Sequence, residues 1–127
     1  MIMIESHVDI KTKDGVMPAF TAHPEEPGDY PAVVLYFDAP GVREELRNFI
    51  RRITGQGYFA ILPDLYYRLG KLSFNIAERT EAMSEMIHTA RNTLTNASVM
   101  EDTKYILEFL DRNPNVKAGA KVASSTA

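Results

Sequence analysis

Two aspartates stand where an apolar run stops. Asp38 follows Ala32–Phe37, and Asp64 follows Phe59–Leu62 and a proline. Each run is continuous rather than alternating, the pattern of a strand covered on both faces in a parallel sheet. Ligands of open α/β sheets sit beyond the carboxyl ends of such strands, so both carboxylates are placed where chemistry is done. Their other role is local: a turn aspartate accepts nearby backbone N–H bonds, and for Asp64 this is the better reading. Arg68 and Arg79 carry guanidinium groups able to hold a carboxylate through two parallel bonds, although most arginines are simply solvated. His7, His23 and His88 show neither triad nor metal-ligand spacing and read as surface residues. Ser124, Ser125 and Thr126 are hydroxyls without a glycine elbow. Met83 and Met86 read as helix packing rather than a metal site.

The elements that must position these groups can be read around them. Leu46, Phe49, Ile50 and Ile53 recur at the spacing of one helix face, which predicts a helix over 43–53. Gly55 and Gly57 can end it. Strand, helix and strand with short connections form a right-handed βαβ unit, so Ala32–Phe37 and Phe59–Leu62 are expected to be adjacent and parallel. Upstream, Val8–Thr12 and Val16–Ala22 flank Asp14-Gly15, a hairpin signal. Pro18 lacks a ladder donor and predicts a position near the sheet edge. Downstream, Met83, Met86, Ile87, Ala90 and Leu94 share a helix face. A second helix follows, with Ser98 and Glu101 as its capping box and Val99, Thr103, Ile106, Leu107 and Leu110 on its buried side. Asn113-Pro114-Asn115 ends it, and residues 121–127 start a further strand.

The segments F-D-A-P-G-V (37–42) and Q-G-Y-F-A-I-L-P-D-L-Y-Y-R (56–68) resemble the dienelactone hydrolase family of the α/β-hydrolase fold, and the resemblance runs from about Ile4 to the last residue. It implies an α/β architecture: the N-terminal part of an α/β-hydrolase sheet, a β-hairpin followed by βαβ units with helices on both faces. It implies that Asp38 takes the place of the family's glutamate beside the nucleophile, and that Pro40 stands where an aromatic is usual. Ala39 would then give a backbone N–H to the oxyanion hole, a donor that does not depend on the side chain. Arg68, and Arg79 in the following loop, would hold the carboxylate of a substrate. The family's nucleophile is a cysteine in a G-x-C-x-G elbow after the next strand. This chain contains no cysteine, and the resemblance implies that the nucleophile and the triad's aspartate and histidine lie outside it. The expectation is a single domain over residues 1–127, truncated relative to the family and inactive alone.

Composition bounds the rest. A length of 127 residues allows one core. Hydrophobic content of 45%, charge of 24% and a net charge of −3 are ordinary for a globular protein, with no basic footprint for nucleic acid. No apolar run is long enough to span a membrane, and the N-terminus does not read as a signal peptide, so the cytoplasm is the expected location. No cofactor or metal is expected. The expected partner is a small ester or lactone. A second reading is a non-catalytic fragment or interaction module, self-associating as a homo-oligomer through an exposed sheet edge.

Overall fold

The structure, a computed structural model, describes residues 2–36, 44–69, 80–92 and 94–125. The alternating N-terminal pattern forms a hairpin of β1 (Met3–Thr12) and β2 (Gly15–Pro24). Lys13 and Asp14 make the turn, and Gly15 closes it at φ +146°, a conformation that glycine adopts without strain. The apolar runs form β3 (Tyr30–Tyr36) and β4 (Phe59–Pro63), joined through α1 (Glu44–Thr54). A 3₁₀ turn (Tyr67–Leu69), α2 (Glu81–Asn92), α3 (Asn96–Arg112) and β5 (Val116–Ser125) follow.

The five strands lie in the order β1-β2-β4-β3-β5. The hairpin is antiparallel and joins β4 antiparallel, while β3, β4 and β5 run parallel. The expected parallel pairing is present, with Ala32 opposite Phe59 and Val34 opposite Ile61. Period-two alternation divides the core between the two faces. Met17, Ala19, Val34, Phe59 and Ile61 pack with Ile106 and Leu110 of α3. Phe20, Ala22, Leu35, Ala60 and Leu62 pack with Leu46 and Ile50 of α1. Helices therefore cover both faces, as parallel strands require.

Strand β2 lies beside the edge strand β1, near the sheet edge as Pro18 predicts, and is itself paired on both sides. The Pro18 carbonyl accepts the Asp64 N–H at 2.8 Å, and its missing donor falls just past the end of β4, so no ladder bond is lost. Other expectations are corrected. Helix α3 starts at Asn96 with Thr95 as its cap, and the reciprocal box pairs Thr95 with Ser98 rather than Ser98 with Glu101. Leu107 is exposed, while Ile106 and Leu110 are fully buried. On α2, Ile87 is buried but Met86 faces solvent, so Met86 is not core packing. Phe49 of α1 is likewise partly exposed and lies under the Arg52 guanidinium, 5.1 Å from its ring centre.

Candidate active site

The parallel strands point their carboxyl ends the same way, and four segments meet there. Tyr36 ends β3. Pro63 ends β4, and Asp64 follows it. The hairpin turn reaches the same edge, because β2 runs against β4 with Ala19 opposite Pro63. Strand β5 arrives beside β3, with Leu35 opposite Ser124 and Tyr36 opposite Ser125. Asp38 and Ala39 lie two and three positions beyond Tyr36, outside the described residues, as does Arg79.

Asp64 turns the chain. Its Oδ1 accepts the Tyr66 N–H at 3.0 Å, and its backbone carbonyl accepts that of Tyr67, the local aspartate turn expected of it. Burial pushes its carboxyl above the usual aspartate range, against the opposing pull of the Tyr66 N–H. Leu65 and Tyr66 are buried just beyond it and lead into the 3₁₀ turn.

Arg68 is engaged on two edges. Its Nη1 and Nη2 grip both oxygens of Asp102 at 2.8 and 2.9 Å, and its Nε and Nη2 both bind Oδ2 of Asp14 at 2.9 and 2.8 Å. Asp102, on α3, is wholly buried, whereas the Asp14 side chain is 40% exposed. The Tyr67 hydroxyl donates to Asp102 Oδ1 at 2.9 Å. Its single proton is then used, so it accepts from Thr12 Oγ1 at 2.8 Å. Burial first, then the Asp102 hydrogen bond and charge, push the Tyr67 phenol above its ordinary range. The Arg68 guanidinium also stacks 4.6 Å from the Tyr67 ring centre. The next residue of α3 serves β3: Thr103 Oγ1 donates to the Val99 carbonyl, so the Tyr36 hydroxyl donates to it at 2.7 Å. Consecutive residues of one helix thus hold the end of β3 and the 3₁₀ turn that follows β4.

The histidines lie elsewhere. His23 is half-buried rather than on the surface, stacked 5.4 Å from Phe59 at the amino end of β4. His7 leans on Phe20, and His88 is exposed on α2.

A model of the dienelactone hydrolase family matches residues 17–124. The chain belongs to the dienelactone hydrolase family. A Methylorubrum extorquens protein with the provisional name carboxymethylenebutenolidase is 33% identical over 107 residues, covering 84% of this chain and 35% of its own length. An Escherichia coli K12 protein with the same provisional name is 27% identical over 112 residues, covering 87% of this chain and 40% of its own. The crystal structure of a provisionally named dienelactone hydrolase from Klebsiella pneumoniae superposes with a TM-score of 0.82 at 24% identity, covering 98% of this chain and 50% of that one. A dienelactone hydrolase-like promiscuous phosphotriesterase from metagenomic libraries has the same fold, with a TM-score of 0.76 at 20% identity, over 98% of this chain and 49% of that one. The chain therefore spans about a third to a half of these relatives. The matched range contains positions 38, 39, 68 and 79.

Sequence reasoning did not single out Asp102, Thr12 or Asp14 as partners of this edge. For Asp102 a signal existed: it lies three residues after Val99 and four before Ile106, on the buried face of α3.

Proposed function

We propose that the chain forms the oxyanion and substrate-binding part of a hydrolase acting on an ester or lactone. A cysteine thiolate, contributed by sequence beyond this chain, attacks the carbonyl. The Ala39 N–H stabilises the developing oxyanion, Asp38 flanks the nucleophile, and water then cleaves the acyl-enzyme. Arg68 and Arg79 face the substrate's carboxylate where it has one. The observation carrying this reading is the family match across both strand ends of one carboxyl edge. No helix among the described residues is long and apolar enough to cross a membrane, and the cytoplasm is the proposed place of action. The test is turnover of p-nitrophenyl acetate. The chain alone is expected to show no saturable turnover. Joined to a segment supplying the cysteine, aspartate and histidine it should become active, and Asp38→Ala should lower kcat/KM about tenfold, roughly 1.4 kcal/mol. Saturable turnover by the chain alone would point to a nucleophile within it, with Ser124 and Ser125 the first to replace.

A second reading, self-association, draws on β5. Val122 of this strand is 62% exposed, and among the described residues β5 pairs only with β3. An open strand edge of this kind is a template for another chain.

A further inference from the structure

The two carboxylates on Arg68 are not equivalent. Asp102 gives one oxygen to each of two guanidinium nitrogens from a fully buried site. Asp14 reaches the outer edge from a hairpin turn and offers a single oxygen to both Nε and Nη2. Together they occupy four of the five N–H donors of an arginine. The inner edge is a fixed foundation. The outer edge opens at the same end of the sheet as β3 and β4, and its present occupant is half in water.

We propose that Asp14 is a tethered competitor for the outer edge of Arg68, and so the residue that sets this site's preference between neutral and anionic ligands. The inference rests on the reading above that Arg68 is a carboxylate subsite. A free carboxylate can present one oxygen to Nε and the other to Nη2, the matched two-bond geometry, where Asp14 presents one oxygen to both. It is the better ligand once the turn yields, but it binds only the fraction of molecules in which Asp14 has swung away. Apparent affinity is reduced by that fraction. With Asp14 in place the subsite favours neutral esters, and without it the subsite accepts anions.

The test uses the whole chain, ¹⁵N-labelled, titrated with 2-furoate and with its neutral counterpart 2-furamide while the backbone amides of the hairpin turn and, where arginine is present, the Arg68 Nε–H resonance are followed. Asp14→Asn keeps the turn, since asparagine suits such positions as well as aspartate. It should tighten furoate binding, by about tenfold for a competitor that occupies the edge roughly nine-tenths of the time, and leave furamide unchanged. Arg68→Lys keeps a cation against Asp102 but loses the outer fork, and should abolish the gain. Equal furoate affinity in the wild-type and Asp14→Asn chains, still dependent on Arg68, would overturn the competitor role while keeping the subsite. Furoate binding in neither chain would overturn the subsite and the competitor together.

Discussion

Two arginines in this molecule have nearly the same surroundings on paper. Arg51 sits between Glu5 and Glu44 and over the Phe20 ring at 5.6 Å. Arg68 sits between Asp14 and Asp102 and over Tyr67. Their side chains are 30% and 28% exposed. The pairs differ in their partners: Glu44 is 63% exposed, while Asp102 is not exposed at all. Two carboxylates in water lose little when their arginine leaves, because solvent takes its place. A carboxylate inside the fold has no such substitute. What separates a decorative ion pair from one that determines structure here is the burial of the acid, not the number of contacts made by the base.

The comparison is broken most directly at Arg68. Arg68→Ala leaves Asp102 buried without its cation and should cost about 3 kcal/mol in chemical denaturation; a loss below about 1 kcal/mol would make the two arginines equivalent after all. Tyr67→Phe removes one of the three bonds to Asp102 and the acceptor of the Thr12 hydroxyl, and should cost roughly 1–2 kcal/mol by the same measurement. Arg51→Ala should cost less than about 1 kcal/mol, with the loss shrinking further in high salt because exposed pairs are screened. The smallest effect concerns Asp64. Its carboxyl holds a proton to higher pH when folded than when unfolded, so the stability it contributes is present below the ordinary value of 3.8 and is lost as pH rises through that value to the raised one. The difference in unfolding free energy between wild type and Asp64→Asn should therefore slope across that acid window and be flat above it.

The βαβ unit was legible because its signals agree: continuous apolar runs, helical spacing at Leu46 and Ile50, and Gly57 after the helix at φ +95°. The hairpin was legible from Asp14-Gly15 and alternation. Pro18 rightly placed β2 near the edge, and it is tolerated one strand in because β4 ends at Pro63 and no ladder partner stands opposite the donor that proline lacks. The start of α3 was misplaced by three residues because Thr95, Ser98 and Glu101 form overlapping capping patterns, and only the extra helical turn selects the first. Asp102 was missed for a different reason. Helix reading assigns charge to the solvent face, and only knowledge of a guanidinium arriving from a distant loop makes a buried aspartate affordable. Of the candidate site, the strand-end geometry of Asp64 and the position of Arg68 were legible, but the partners of Arg68 were not, since they come from a turn and a helix far away in sequence.

That distance has a consequence for how the chain assembles. The Tyr36–Thr103 bond joins residues 67 apart and the Thr12–Tyr67 bond residues 55 apart, whereas α1 and the hairpin need only neighbours. Loop closure grows costlier with separation, and chains gain long-range contacts later than local ones. The carboxyl edge cannot be stitched until α3 exists and has docked. During synthesis from the N-terminus, the hairpin and the βαβ unit can therefore form while the rim that carries the site is still open; Asp102 and Thr103 fasten it once α3 has docked, and β5 then adds beside β3.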